Sequence, residues 1–216
     1  MDLILQIFIV LVVILFSMTL HEVMHGLVAY WLGDDTAKAQ GRLTLNPAKH
    51  IDPFMTIALP LFLIVTSFFS HGATPIFGGA KPVPFNPNRV KYDEWGAALV
   101  ALAGPLTNFV IAFLLFGIYV LLGAPDGLLG QFITTALMVN IGFFVFNMIP
   151  IPPLDGSRVI YALAPQFVRR GMEAVEQYGI IFVFAIVLVA SPLLGAFMGM
   201  AIQAILNLFT HIFAVS

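Results

Sequence analysis

Three polar side chains stand together inside an otherwise apolar stretch near the N-terminus. His21, Glu22 and His25 are the only charged or imidazole side chains between Leu3 and Trp31, a stretch long enough to cross a bilayer as one helix. Residues four apart share a helix face, so the imidazoles of His21 and His25 can reach one ion while Glu22 lies beside it. The pattern His-Glu-x-x-His therefore predicts a zinc site with two histidine ligands and a glutamate as general base.

Burial for packing alone is the alternative role of these three residues. Ionisable groups at membrane depth are costly and need a compensating partner. A structural pair of histidines next to a glutamate would do little to offset that cost, so we favour a bound metal ion.

A third ligand should be a carboxylate elsewhere in the chain. The chain has no cysteine, which excludes a thiolate ligand. Asp155 follows the apolar run Leu128–Ile149 directly, behind the proline-rich segment Pro150–Pro153 that must interrupt a helix. Gly156 allows the backbone to turn this carboxylate inward. Asp155 could instead only cap the short helix that begins near Gly156, but capping alone would leave two protein ligands, so we predict ligation.

The composition indicates an integral membrane protein. Sixty per cent of the 216 residues are hydrophobic, 9% are charged and the mean hydropathy is +1.01. The formal net charge is −2 and no basic run is present, so no nucleic-acid partner is expected. The length and the lack of a long polar stretch predict one domain over residues 1–216.

Apolar stretches separated by polar segments predict the architecture. Six stretches are candidate membrane segments: Leu3–Trp31, Phe54–Ser70, Trp95–Leu122, Leu128–Ile149, Val175–Ala190 and Leu193–Phe213. Between them, Gly41–Pro47 alternates as a strand does, and the alternate prolines of Gly78–Pro84 suit an edge strand or an extended loop. We therefore expect an all-α polytopic membrane protein of five to six membrane segments with short interfacial β-strand or re-entrant loop elements.

Segment length and charge predict the topology. Phe54–Ser70 has only 17 residues and carries Pro60 near its middle, so we expect it to enter and leave on the same side. The two helices that precede the metal ligands then run parallel, and all nine basic side chains lie on one face; a full crossing would split them three against six. Positive charge marks the cytoplasmic face. The metal should therefore lie in the cytoplasmic half, with the N-terminus outside and the C-terminus inside.

Two motifs in this order resemble the site-2 protease family of intramembrane zinc metalloproteases. The His-Glu-x-x-His of His21–Gly26 and the Asn…Leu-Asp-Gly of Asn147–Gly156 are similar to the two signatures of the family. Ala103–Asn108 resembles its small-residue and asparagine motif, and Gly79–Pro84 resembles a loop of the compact bacterial members. The chain has no room for the PDZ or CBS domains of larger members.

The resemblance implies a role for each motif residue. One zinc ion per chain would be held by His21, His25 and Asp155, with Glu22 as general base and Asn147 holding substrate or the oxyanion. Zinc held by three protein ligands keeps a fourth position for water, whose pKa it lowers toward about 7. The catalytic core would cover about residues 3–162, with further membrane helices over 172–213. The substrate would be a membrane-protein helix in a bacterial inner membrane; the oligomeric state is left open.

A polytopic metal-ion or proton transporter is the alternative function. The same histidine and carboxylate cluster would then be a transit site for the ion. Transporters usually pair broken helices in repeated halves, whereas this sequence shows one broken helix and no repeat. We therefore expect a zinc endopeptidase that hydrolyses peptide bonds within or near membrane segments.

Four other polar residues are not assigned to the chemistry. His50, in the polar segment near a membrane face, is expected to be a solvated loop histidine, and His71 and His211 lie at segment ends. The amide of Asn108, which follows Gly104 and Pro105 in mid-helix, is expected to bond across helices rather than to act in the chemistry.

Overall fold

Helices make up the regular structure of the described part of this protein. The computed structural model describes residues 3–58, 60–62, 80–179 and 191–215. The α-helices in these ranges are α1 (Leu3–Trp31), α2 (Thr36–Ala39), α3 (Asp93–Leu121), α4 (Gly127–Asn147), α5 (Asp155–Leu163), α6 (Gln166–Glu176) and α7 (Ser191–Ile212). Pro47–Lys49 and Pro87–Arg89 form short 3-10 helices, and Pro53–Ala58 forms a π-helical turn.

Four helices, α1, α3, α4 and α7, are long and apolar enough to cross a membrane. They coincide with four of the six predicted apolar stretches, so the all-α, polytopic expectation is confirmed with four candidate spans in the described ranges. The other two predicted stretches are only partly covered by the described ranges. Residues 59 and 63–70 of Phe54–Ser70, and residues 180–190 of Val175–Ala190, lie outside the described residues.

The predicted strands are absent from the described part of the chain. Gly41–Asn46 is irregular, so its strand prediction is wrong, and Lys81–Pro84 is an extended loop. The prolines of that loop have no amide proton for a ladder, and a side chain bonds its carbonyl groups instead. Nη2 of Arg42 donates to the carbonyl oxygens of Lys81 at 2.8 Å and Pro82 at 3.3 Å. Residues 78 and 79 of the second predicted strand lie outside the described residues.

Helices α1 and α4 run parallel, as predicted. Ile9 and Val13 of α1 pack with Ala136 of α4, and Ser17, one turn further on, bonds Asn140 at 2.9 Å. The order along both helices is the same, which confirms the parallel arrangement of the two helices that precede the predicted ligands.

Helix α3 runs antiparallel to α1 and packs against it through small residues. His21 of α1 bonds Asn108 of α3, whereas the later His25 bonds the earlier Val100. Ala97 and Ala101 are buried in this contact zone, because small side chains let membrane helices approach closely. The amide of Lys91 donates to the carbonyl of Leu32 at 2.9 Å, so the end of α1 meets the start of α3.

Helix α7 runs in the same direction as α3. The ring of Phe209 lies 5.5 Å from that of Phe109, whereas Phe213, one turn later, lies 5.6 Å from Phe116 and against Gly117. The start of α1 and the end of α7 therefore lie at the same end of the bundle, opposite the histidines. The expectation that the two termini lie on opposite sides is wrong, because α7 begins at the end of the bundle where α5 follows α4.

Candidate metal centre

His21, His25 and Asp155 converge on one point. Oδ2 of Asp155 lies 3.2 Å from Nε2 of His21 and 3.4 Å from Nε2 of His25, and the two nitrogen atoms are 3.0 Å apart. A tetrahedral zinc ion with bonds of about 2.0 to 2.1 Å holds its ligand atoms about 3.3 Å from one another. These three atoms, which we call the ligand triangle, therefore match one face of a zinc tetrahedron.

Gly104 on α3 leaves the space that an ion in the ligand triangle requires. An added Cβ at this position would lie 2.4 Å from Nε2 of His25 and 2.6 Å from Nε2 of His21. A side chain would therefore fill the volume next to both nitrogen atoms. The residues of the site fit zinc in donor type, in spacing and in free volume.

The second ring nitrogen of each histidine has a hydrogen-bond partner on α3. Nδ1 of His25 lies 2.7 Å from the carbonyl oxygen of Val100, and Nδ1 of His21 lies 2.6 Å from Oδ1 of Asn108. A carbonyl oxygen only accepts, so Nδ1 of His25 carries the proton and Nε2 presents its lone pair to the ligand triangle. The expectation that Asn108 bonds across helices is confirmed.

Asp155 is positioned by the break between α4 and α5. It is the first residue of α5, whose N-cap is Leu154, and no side-chain capping bond is formed. The capping role considered for Asp155 is therefore not observed. A Cβ on Gly156 would lie 2.4 Å from the carbonyl oxygen of Met148. Only glycine allows this close approach, which holds the start of α5 against the end of α4.

Glu22 lies beside the ligand triangle and holds a loop. Its side chain is buried, with the residue 7% exposed, and Oε2 accepts the amide proton of Val83 at 2.7 Å. Gly26, one turn later on α1, is tightly packed against the same loop, since an added Cβ would come within 3.0 Å of Cγ1 of Val83. The loop Lys81–Pro84 therefore lies directly against the predicted general base.

Asn147 and His50 lie in surroundings that differ from the ligand triangle. Nδ2 of Asn147 donates to the carbonyl oxygen of Phe143 at 3.0 Å within α4, so its contact to substrate stays a prediction. His50 is 1% exposed, with Nε2 at 2.9 Å from the carbonyl oxygen of Thr44. The expectation of a solvated His50 is wrong, because the polar segment after α1 folds over it. His71 lies outside the described residues.

Sequence reasoning missed the residues that support the ligands. Gly104 lies within the Ala103–Asn108 motif, but the motif alone indicates no role at the metal, and neither Asn140 nor Ser17 belongs to a motif. Asn140 is a polar residue in the middle of an apolar helix, which is a signal for a buried partner. Val100 contributes only its backbone carbonyl, and no sequence pattern marks such a group.

Comparison with known proteins agrees with this geometry. The model of peptidase family M50 matches residues 9–130 and 123–191. YwhC of Bacillus subtilis, named as a candidate zinc metalloprotease, is 40% identical over 214 residues, covering 94% of this chain and 91% of the relative. Rip2 of Mycolicibacterium smegmatis, with the same kind of name, is 30% identical over 189 residues, covering 84% of this chain and 66% of the relative. No solved structure gives a significant match. The chain belongs to peptidase family M50, the site-2 protease family.

Proposed function

We propose that this protein is an intramembrane zinc endopeptidase that hydrolyses peptide bonds within or near the membrane segments of other membrane proteins. The observation that carries this proposal is the meeting of the His-Glu-x-x-His pattern of α1 with Asp155 among four candidate membrane spans. Membership of a peptidase family and the names of the relatives support the same activity. Neither supports the transporter alternative.

The ligand triangle is the proposed zinc site. His21 and His25 would bind through Nε2 and Asp155 through Oδ2. A zinc ion held there would supply Lewis-acid chemistry, polarising the scissile carbonyl group and lowering the pKa of a water molecule to about 7. The buried setting strengthens these electrostatic effects, because little solvent competes for the charges.

Glu22 is the proposed general base. Its carboxylate would accept a proton from water during attack and return it to the leaving nitrogen atom. The amide of Val83, which donates to Oε2 at 2.7 Å, fixes the orientation of this carboxylate next to the ligand triangle. The loop Lys81–Pro84 thus takes part in arranging the base.

The proposed substrate is a membrane helix that unwinds locally. A helix hides its carbonyl groups in its own hydrogen bonds, so helix-weakening residues near the cleavage site would favour cleavage. Strand addition along Lys81–Pro84 could hold the unwound stretch. The bonds from Arg42 to the carbonyl groups of Lys81 and Pro82 already occupy part of this edge, so a substrate strand would have to pair with other main-chain groups or displace Arg42.

The substitution Glu22→Gln tests the proposed activity. In cells that co-express membrane-anchored candidate substrates, the wild-type protein should cleave one or more of them and Glu22→Gln should cleave none. The purified variant should still hold close to one zinc ion per chain, because Glu22 is not a ligand. Glu173→Gln, on α6 and bonded to the hydroxyl of Tyr161, is the matched control and should keep both cleavage and zinc. Cleavage by Glu22→Gln would contradict the proposal, as would ion flux in vesicles without any cleavage by the wild type.

We propose that the metal centre lies in the cytoplasmic half of a bacterial inner membrane. The basic residues all lie between positions 38 and 170. Those after α1 and before α3 are at the end of the bundle where Lys91 meets Leu32, and Arg169 of α6 lies 3.9 Å from Glu94 at the same end. The connection between α3 and α4 carries no basic residue. This asymmetry supports a cytoplasmic position for the histidine end of the bundle.

The hydrogen bond between Lys91 and Leu32 also supports a re-entrant course for Phe54–Ser70. Because Lys91 bonds Leu32, the chain between them returns to the end of the bundle that it left. Phe54–Ser70 is the only long apolar stretch in this part of the sequence, so a single full crossing would leave the chain on the wrong side. We therefore propose that this stretch enters and leaves on the cytoplasmic side.

A further inference from the structure

A chain of buried polar side chains runs from His21 into the apolar interior of the bundle. Asn108 on α3 is fully buried, Asn140 on α4 is 1% exposed and Ser17 on α1 is 5% exposed. Nδ1 of His21 lies 2.6 Å from Oδ1 of Asn108, Nδ2 of Asn108 donates to Oδ1 of Asn140 at 2.8 Å, and Nδ2 of Asn140 donates to Oγ of Ser17 at 2.9 Å. The proposed proton transfers use none of these amides, so this series of hydrogen-bonded side chains needs another explanation.

A backbone carbonyl group fixes the orientation of the Asn140 amide. Nδ2 of Asn140 also donates to the carbonyl oxygen of Ala136 at 2.8 Å. A carbonyl oxygen can only accept a hydrogen bond, so the amide atom that faces it must be the nitrogen. The opposite flip would place two oxygen atoms in contact where no water can separate them, a costly arrangement for buried groups. Oδ1 of Asn140 must therefore face Asn108.

The constraint then passes from residue to residue. Oδ1 of Asn140 can only accept, so Asn108 must present Nδ2 to it and turn Oδ1 toward His21. An amide oxygen in turn accepts only, so Nδ1 of His21 must carry the proton. The remaining ring nitrogen, Nε2, then directs an unprotonated lone pair into the ligand triangle.

We infer that Asn140 is a positioning residue that acts through Asn108 to select the Nδ1–H tautomer of His21 and so prepares the metal site before an ion binds. The inference rests on the proposed role of His21 as a zinc ligand. His25 reaches the same state without any side chain, because its Nδ1 faces the carbonyl oxygen of Val100. The tautomer of His25 is thus set directly by a backbone carbonyl group of α3. The tautomer of His21 is set by a backbone carbonyl group of α4, through the side-chain amides of Asn140 and Asn108.

Zinc affinity measures this role without reference to cleavage. In competition with a chelator, Asn108→Leu and Asn140→Leu should each weaken zinc binding about 10- to 100-fold, the usual cost of losing a partner behind a metal ligand. The matched control is Asn207→Leu on α7, an exposed asparagine whose Oδ1 accepts from Gln203 at 2.9 Å, and it should bind zinc as the wild type does. Wild-type affinity in Asn140→Leu would overturn the inference.

The double variant distinguishes positioning from packing. If Asn140 acts through Asn108, then adding Asn140→Leu to Asn108→Leu should cause no further loss of zinc affinity. Losses that add in full would show that the two amides serve packing separately and would overturn the inference. All variants are first compared by their helix content in detergent, so that only folded protein is scored.

The tautomer itself gives a second readout. With histidine labelled by nitrogen-15, the metal-free wild type should show His21 and His25 as Nδ1–H tautomers. In Asn140→Leu, His21 should shift to a mixture with Nε2–H while His25 stays unchanged; an unchanged His21 would overturn the inference. His21→Ala separates the ligand role of His21 from the positioning role of Asn140. Wild-type zinc affinity in His21→Ala would refute the ligand set and the inference together. Loss of zinc in His21→Ala with retention in Asn140→Leu would refute only the inference.

Discussion

Gly104 faces Nε2 of His25 so closely that an added Cβ would lie 2.4 Å away from it. The helix that carries Gly104 supplies no ligand, yet it packs against both histidines and supplies the partners of both Nδ1 atoms. Close approach of α3 therefore serves two needs. It brings Val100 and Asn108 within bonding distance, and it must leave a gap where the ion would sit.

Gly104→Ala should remove zinc without unfolding the bundle. The new methyl group would lie within 2.6 Å of Nε2 of both His21 and His25, so it competes with an ion for the same volume. Alanine is also the better helix former, which opposes any loss of helix. Purified Gly104→Ala should keep its helix content by circular dichroism, hold far less than one zinc ion per chain, and lack cleavage activity.

A matched control tests whether the effect is local. Gly142 lies in α4, and an added Cβ there would meet no atom within 4 Å. Gly142→Ala should therefore keep both zinc and activity. Full zinc content in Gly104→Ala would show that the ion does not bind in the ligand triangle.

Asp34→Asn should destabilise the fold where α1 ends. Asp34 is fully buried and accepts hydrogen bonds from the amide of Thr36 at 3.1 Å and the amide of Asn86 at 2.6 Å. It ties the end of α1 to the segment that leads into α3. We expect the free energy of unfolding at pH 7 to fall by about 1 to 3 kcal/mol when this buried charged acceptor is removed. Denaturant titration in mixed micelles measures this change.

The pH dependence of the same variant has a definite sign. Burial alone would raise the pKa of Asp34, but the hydrogen bonds from Thr36 and Asn86 outweigh it and hold the pKa below its ordinary value. A carboxyl group with a lowered pKa stabilises the fold above the unfolded pKa of about 3.9, and this contribution is lost as the pH falls through the folded value. The stability gap between wild type and Asp34→Asn should therefore narrow below about pH 4. The control is Asp35→Asn, at an exposed carboxylate 2.8 Å from Arg89, which should change the free energy of unfolding little at pH 7 or below pH 4. An equal effect of both substitutions would contradict the stabilising role of Asp34.

The metal site was accessible from sequence because its chemistry is rare in a membrane helix. His21, Glu22 and His25 form a fixed pattern on one turn, and Asp155 stands out as an acidic residue directly after an apolar run. Four of the six long apolar runs likewise coincide with candidate membrane helices, since their length and hydropathy depend only on local composition. The sequence alone predicts these features because each depends on residues that are close together in the chain.

The remaining features depend on contacts between distant segments. The strand predicted over Gly41–Pro47 did not form, because the guanidinium of Arg42 bonds the carbonyl groups of Lys81 and Pro82 instead of a neighbouring strand. The support of His21 by Asn108 and Asn140 depends on the register between three helices. Hydropathy identifies membrane segments but does not show on which side each helix begins. It therefore predicts the wrong direction for α7, whose Phe209 and Phe213 pack against α3.

Cysteine labelling in intact cells should place both ends of the bundle. The chain has no native cysteine, so single cysteines can be introduced at Lys49 and Lys91 on the histidine end and at Ala124 and Val215 on the other. Positions 49 and 91 should react only with a membrane-permeant reagent, because basic residues mark the cytoplasmic face, and positions 124 and 215 should react with an impermeant one. Labelling of position 91 from outside would contradict the re-entrant topology of Phe54–Ser70. Protection of position 215 with labelling of position 124 would contradict the parallel course of α3 and α7, since those two helices would then end on opposite sides.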